Sequence, residues 1–419
     1  MIKNIVKSFK TSKKGNFAVL LSMIFVSLAI MVFVFIKAST YLTTISYASN
    51  ILELSGRSIL SEFHIGLKDS YGIIAFEGFE KETKDDLNYY IYNSFSKKNT
   101  SGRNRMIRLY LQDLDVSFAE QGLIDMDNFE KEVGEAYQYF LLKDWEGQGK
   151  DSFSQGKLIN ERIKGELPSY YLSAKGYNLN NPFNVDASKW SEAASNLSAE
   201  AMVNEYIMRF CNCNRENRSR IKTFMQNEIE YILYGKFDEV DNYNAFINQF
   251  RTTRFLLNSA HIYADAEKRN AVLATAEGLT PGPQAIATAA LISEIWAGLE
   301  TSNDRKLLLD GKGVALIKTD EDWAVTLQTA VDDFLNGTDS GNRTSYIEPE
   351  KESKMDYKMY LRLFLYCADR ETKLARLMDI IQLNVQGVYD ENFRIKDYYL
   401  GFNYKAKVNG KIYEYTQTY

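Results

Sequence analysis

Twenty consecutive residues, Phe17 to Ile36 (FAVLLSMIFVSLAIMVFVFI), carry no charge, no proline and no glycine. At about 1.5 Å of rise per helical residue the run is about 30 Å long, the thickness of a bilayer's hydrocarbon core, and a buried helix of a soluble protein rarely stays apolar on every face for that length. The run therefore predicts a transmembrane helix. Lys3, Lys7, Lys10, Lys13 and Lys14 precede it with no acidic residue among them, and after Lys37 the next charge is Glu53. Positive charge concentrates on the cytoplasmic flank. The expected topology is a cytoplasmic basic arm (1–14), a membrane helix (15–37) and an exported remainder, placing the chain in the cell membrane as a single-pass protein with an extracellular C-terminal domain. A cleavable signal peptide has a shorter apolar core, of about 7–15 residues, closed by a small-x-small site. Here Ile36 stands where a small residue should precede Ala38, so an uncleaved anchor is the preferred reading.

About 380 residues follow the run, enough for one large domain or two modest ones. Mean hydropathy is negative at -0.33 despite the anchor, and no second run of this kind occurs, so the exported part is soluble in character. The 50 Lys and Arg face 55 Asp and Glu, and five of the lysines sit in the N-terminal arm. The exported part is thus mildly acidic, which argues against nucleic-acid binding, because phosphate recognition needs a basic surface. Cys211, Cys213 and Cys367 form an odd set rather than a disulfide framework. A bridge from Cys367 to one of the pair and three idle thiols are both open, with buried thiols favoured. His64 and His261 do not sit at ligand spacing, so neither a metal nor a cofactor is expected.

Helical character continues past Lys37. Tyr41, Ile45, Ala48, Leu52, Ser55 and Ile59 recur at steps of four and three residues, a period near 3.5. This predicts a stalk helix over 38–68. Its candidate assembly seam is Tyr41, Ile45, Ala48, Leu52 and Ile59, to be covered either by the chain's own domain or by a partner helix. Beyond it, residues 69–419 read as an α+β domain with a helical middle and an antiparallel C-terminal hairpin. A stretch rich in Gly, Ser and Asn makes 146–188 a candidate subdomain boundary. Strands are expected at 73–76, 106–118 and 314–318, and in two closing runs joined by Asn409-Gly410, a dipeptide that tolerates positive φ at both positions. Helices are expected at 127–145, 202–210, 221–234, 243–258, 260–277, 284–300 and 355–385, the last as the longest of the exported domain, with a mobile polar loop over 333–353.

Catalytic motifs are missing. There is no G-x-S-x-G elbow, H-E-x-x-H or P-loop. Asp113, Asp115 and Ser117 share one face of a strand and read as a solvated face rather than a metal motif. Glu228 and Glu230 read as ordinary acids on a helix surface. The sequons at Asn336 and Asn342 read as parts of a polar loop.

Several blocks resemble a known family. Lys14-Gly15 before a single apolar helix, Leu60-Ser61-Glu62-Phe63 and Leu67-Lys68-Asp69-Ser70-Tyr71-Gly72-Ile73 are similar to the start of TadE/TadG-like proteins of Gram-positive bacteria. So are Glu228 to Gly235, Asp356-Tyr357 with Tyr360-Leu361-Arg362, and Met378-Asp379 with Ile381-Gln382, further along the chain. That family is linked to tight-adherence (Flp-type) pilus assembly, and much of it is described only as a domain of unknown function. The resemblance implies a non-enzymatic, pseudopilin-like or accessory subunit. Its partners would be the lipid bilayer and, through the N-terminal helix, other pilus or secretion-machine membrane proteins. Two departures stand out. Prepilin-like proteins are cut after a glycine with a glutamate five residues on, and counting from Gly15 that position is Leu20. The Asp-x-Ser-x-Ser metal motif of larger TadG proteins does not follow any expected strand. The alternative is an extracellular ligand- or surface-binding module tethered to the membrane, suggested by 28 Tyr and 24 Phe and ranked lower because the basic arm is too short for a signalling output. A membrane-anchored hydrolase would need a site that these motifs do not provide.

Overall fold

The computed structural model describes residues 2–100, 107–141, 161–179, 199–217, 221–337, 345–351, 353 and 355–419. In chain order these form α1 (Ile2–Leu60), α2 (Ile65–Tyr71), β1 (Phe76–Glu77), α3 (Glu80–Thr100), β2 (Leu111–Ser117), α4 (Met126–Leu141), α5 (Glu161–Glu166), α6 (Pro168–Ala174), α7 (Ala199–Phe210), α8 (Glu228–Tyr234), α9 (Glu239–Ala264), α10 (Ala266–Leu279), α11 (Ala285–Leu309), α12 (Leu327–Asn336), α13 (Tyr357–Cys367), α14 (Arg370–Val388), β3 (Tyr398–Tyr399), β4 (Gly401–Val408) and β5 (Lys411–Thr418). The chain is a mixed helix-and-sheet protein that divides into two compact units. Unit 1 takes Met1–His64, Ala75–Gly122 and Tyr398–Tyr419; unit 2 takes Ile65–Ile74 and Leu123–Asp397.

In unit 1, α1 is a single helix of 59 residues that is long and apolar enough to cross a membrane. From Phe17 to Ile36 every side chain is exposed. The two hydroxyls in that run turn back on the helix, Ser22 Oγ donating to the Val19 carbonyl at 2.7 Å and Ser27 Oγ to that of Ile24 at 2.8 Å. No side-chain donor of the run is left in need of water, which is the condition a lipid surrounding imposes. From Ala48 onward the same helix becomes core. Ala48, Leu52, Ile59 and Leu60 are buried in one cluster with Leu87, Ile91 and Phe95 of α3 and the inner face of the sheet.

That sheet is antiparallel, in the order β2-β4-β5. Its central strand β4 alternates as period-two geometry requires, with Phe402, Tyr404, Ala406 and Val408 buried and Lys405 and Lys407 exposed. Asn409 (φ 50°) and Gly410 (φ 83°) close the two-residue turn, and β5 returns along β4. The strands hold α1 through tyrosines. Tyr404 Oη donates to the Leu52 carbonyl at 2.7 Å, Tyr415 Oη lies 2.7 Å from Ser49 Oγ, and Tyr419 Oη donates to the Leu60 carbonyl at 2.6 Å. A Cβ on Gly56 would come within 2.8 Å of Gln417 Cγ, so glycine sets how closely helix and strands approach.

Unit 2 is helical. Its axis is α14, buried continuously from Thr372 to Val385, with α2, α4, α6 and α8 packed around it. A second cluster joins α9, α10, α11 and α12 through Ile262, Val272, Ile292, Trp296 and Val331.

The closing hairpin, the strand within 106–118, and the helices at 127, 202 and 284 occur where the sequence places them, although Met106 and 142–145 lie outside the described residues. Other expectations are corrected. α1 ends at Leu60 rather than Lys68, its last turn closed by Ser61 N on the Arg57 carbonyl. Only 228–234 of the expected 221–234 helix is helical. The 355–385 helix is two, α13 and α14, because Ala368 is extended and Asp369 caps the second through Thr372 N at 3.0 Å. Among the described residues the longest unit-2 helix is instead α9, with 26 residues. Residues 314–318 are not a strand: Val314 N bonds the Met355 carbonyl, and the Leu316 carbonyl is taken by Arg254. Of the 146–188 boundary only 161–179 is described, and it holds α5 and α6. In the 333–353 loop, residues to Asn336 belong to α12, Gly337 caps it at φ 60°, and Thr338 and the Asn342 sequon lie outside the described residues. The three cysteines are buried thiols.

Candidate functional site: the end of unit 1 beside the apolar helix

Tyr41 lies five residues beyond Ile36, about 7.5 Å along the helix axis. There α1 runs beside the β4–β5 turn, and Tyr41, Thr44, Ile45 and Ala48 face it across a groove of about 470 Å³. The opposite wall is Leu109, Val408, Lys411 and Tyr413. Thr40, Thr43 and Thr44 each donate their hydroxyl to the carbonyl four residues back, at 2.7–2.8 Å, so the helix presents methyl groups rather than hydroxyls. The turn is clamped by the segment leading into β2. Asn409 accepts from Tyr110 N at 3.0 Å and donates through Nδ2 to the Arg108 carbonyl at 2.7 Å, while Gly410 N donates to Gln112 Oε1 at 2.8 Å. Lys411 Nζ lies 5.2 Å from the centroid of the Tyr413 ring.

The five seam residues separate here. Ala48, Leu52 and Ile59 lie in unit 1's own core, covered by the sheet and α3, so that part of the seam is closed to a partner helix. Tyr41, 64% exposed, and Ile45, half-buried, line the groove. A groove of mixed lining, in which apolar side chains stand beside phenols, an amide and one ammonium, can bind an amphipathic ligand, but it offers no nucleophile paired with a base. The signals that locate it were present in the sequence as the seam and the Asn-Gly turn; their juxtaposition was not.

Acids that the sequence assigns to surfaces lie buried in unit 2. Glu228 and Glu230 are 1% and 0% exposed, contrary to the surface reading. Glu228 Oε2 accepts from Asn212 N at 2.7 Å, and its Oε1 accepts from Asn384 Nδ2 at 2.6 Å. Glu230 Oε1 accepts from Asn214 N and from Tyr357 Oη, at 3.0 and 2.7 Å. Asp379 accepts from Ser169 N and Tyr231 Oη, both at 2.9 Å. Burial pushes both glutamates up to about 7 and Asp379 up to about 6, against hydrogen bonds that pull the other way. Nearby, Arg376 donates to the Ile232 and Leu233 carbonyls at the end of α8; its guanidinium fills the space a Cβ on Gly235 would need, 2.7 Å from Cζ.

A second network joins Arg254 to Asp304 at 3.0 Å, Lys318 to Asp304 at 2.6 Å and Lys318 to Glu300, while Glu300 also accepts from Val325 N at 2.7 Å. Two cations meet two anions, so the buried charge is balanced. Both networks are sealed within packed helices, where they tie distant segments together and no reactant reaches them without the helices opening.

His261, Asp265 and Asp320 have ligand atoms within 4.8 Å of one another, the one such group among the described residues. His261 lies in the last turn of α9, Asp265 is the extended residue that joins α9 to α10, and the fold adds Asp320. Lys268 pairs with both aspartates, and Asp265 already caps α10 through Glu267 N and Lys268 N at 2.8 and 2.9 Å. An ammonium thus stands where a cation would.

Asp113 and Asp115 are exposed and Ser117 half-buried on the outer face of β2, as a solvated face requires.

No curated protein and no solved structure matches the chain. A family model described as a family of unknown function, DUF5702, matches residues 148–410, more than half of the chain and a span that begins after α4. The chain therefore belongs to the DUF5702 family.

Proposed function

We propose that the protein is a non-enzymatic, single-pass membrane-anchored component of a Tad/Flp-type pilus or secretion assembly, with its N-terminus cytoplasmic and residues 38–419 outside the cell. The observation that carries the anchoring is α1 itself. The helix that is bare and apolar from Phe17 to Ile36 is, without a break, a core element of unit 1 from Ala48 to Leu60. A flexible tether would leave unit 1 free to reorient, whereas a continuous helix fixes its orientation to the bilayer, which is what a scaffold requires. The assembly role rests on the family-like blocks and on the exposed apolar helix. Lys3 to Lys14 set the orientation.

Two measurements test it. Tagged protein from native membranes should resist carbonate extraction, with unit 2 open to external protease. It should also co-purify with a motor, platform or pilin component of such a machine. Extraction by carbonate rejects the anchor; retention in the membrane with no such companion rejects the assembly role.

A further inference from the structure

We propose that the end of unit 1 formed by residues 41–48 of α1, the segment before β2 and the β4–β5 turn binds the headgroup of an anionic phospholipid in the leaflet beneath it; this rests on the membrane-anchor reading of α1. Three observations converge there.

The first is depth. Tyr41 lies about 7.5 Å and Ala48 about 18 Å beyond Ile36 along α1, and the polar layer of a bilayer adds about 5–8 Å to each side of its hydrocarbon core. The lower lip of the groove is therefore at headgroup level, with the rest of it just above.

The second is charge. The stretches that build this end, 37–52, 107–112 and 406–413, contain no aspartate or glutamate. They contribute Lys37, Arg108, Lys407 and Lys411, of which Lys407 stands opposite Asp113 in the β2–β4 register. The chain as a whole is acidic, at -5, so a carboxylate-free end is not a consequence of composition.

The third is exposed apolar surface. Tyr41, Leu42, Tyr110 and Ile412 are 64%, 65%, 55% and 61% exposed. Tyrosines and basic residues around exposed aliphatic side chains are the composition of a membrane interface. Lys411 and Ile412 open β5 directly after the turn that Asn409 and Gly410 hold.

Together these place Lys411 in the wall of a groove of about 470 Å³ with mixed polar and apolar lining, and Arg108 and Lys37 in the stretches that flank it; the volume is within the usual range for small-molecule sites. A zwitterionic headgroup carries the same phosphate with its own cation, so the net-anionic lipid is preferred.

The test uses the full chain in nanodiscs containing phosphatidylcholine with a minor share of phosphatidylglycerol, and native mass spectrometry of the lipids that stay bound after the disc is stripped. Wild type is expected to retain phosphatidylglycerol selectively. Lys411→Glu and Arg108→Glu should each lower that selectivity about five-fold, with unchanged circular dichroism. Separately, a bimane label on Ile412→Cys should be quenched by lipid carrying a headgroup nitroxide. Equal retention of both lipids by wild type and variants overturns the proposal, as does a label quenched only by aqueous iodide. Lipid-independent disulfide dimers of Ile412→Cys without phosphatidylglycerol retention would also overturn it, pointing to a second copy as the occupant. A chain that never enters the disc overturns the anchor reading too, so the two failures are distinguishable.

Discussion

The core of unit 1 is made of side chains such as Leu52, Phe95, Phe402 and Ala406, and Tyr404 buries its ring there while its hydroxyl reaches the Leu52 carbonyl of α1. The core of unit 2 holds Glu228, Glu230, Arg254, Glu300, Asp304, Lys318, Lys373 and Asp379. Among the described residues every buried charged side chain belongs to unit 2. An apolar core is tolerant: removing one side chain leaves a cavity. A charged core is held together by mutual compensation, so removing one member leaves another buried and unpaired. Unit 2 should therefore be sensitive both to single substitutions and to pH.

The sharpest way to break this comparison is Asp304→Ala, which leaves Arg254 and Lys318 without their shared partner. A loss of about 3–5 kcal/mol in denaturant unfolding is expected, with hydrogen exchange rising in α9 and α11. A near-neutral result would mean that the network is only ornamental to unit 2. Next comes Leu52→Ala in unit 1, expected to cost about 3 kcal/mol, with exchange rising in β4 and the second half of α1.

The pH response distinguishes the units without any substitution. Glu228, Glu230 and Asp379 have folded-state values above their ordinary carboxyl values. Between about pH 4.5 and 7 the folded chain holds protons that the unfolded chain has released, so stability falls as pH rises through that window. The melting temperature of unit 2 should climb on moving from pH 8 to pH 5.5, and Glu228→Gln with Glu230→Gln should flatten the climb. A melting temperature that instead falls on acidification would contradict the buried-acid account. The smallest effect is expected for Lys405→Ala: it removes an exposed cross-strand pair with Glu414 and should leave the melting temperature unchanged.

Legibility followed the same divide. The hairpin was readable because β4 alternates cleanly and Asn409-Gly410 names its own turn, and α1 was readable because nothing interrupts it. What covers the seam at Ala48, Leu52 and Ile59 was not readable, since a 3.5-residue period marks an apolar face but not its partner. In unit 2, Glu228 looked like a surface acid because the residues that bury and bond it, Asn212 and Asn384, are 16 and 156 positions away. Residues 221–227 carry an amphipathic pattern, yet their backbone donors are taken by remote side chains, Phe224 N by Asn384 and Gln226 N by Glu239. The break between α13 and α14 did leave a local signal, Asp369 ahead of Thr372, an N-cap that the longer helical pattern overrode.

The central claim is that one helix serves as membrane anchor over its first part and as domain core over its last. Spin labels placed singly from 17 to 60, in the full chain reconstituted in vesicles, test it through accessibility to oxygen and to a water-soluble nickel chelate. The expected profile is high oxygen access on every face from 17 to 36, giving way from about 45 to 60 to protection that repeats every 3.6 residues and is deepest at Ala48, Leu52 and Ile59. Chelate access throughout 17–36, or uniform exposure from 45 to 60, would contradict it.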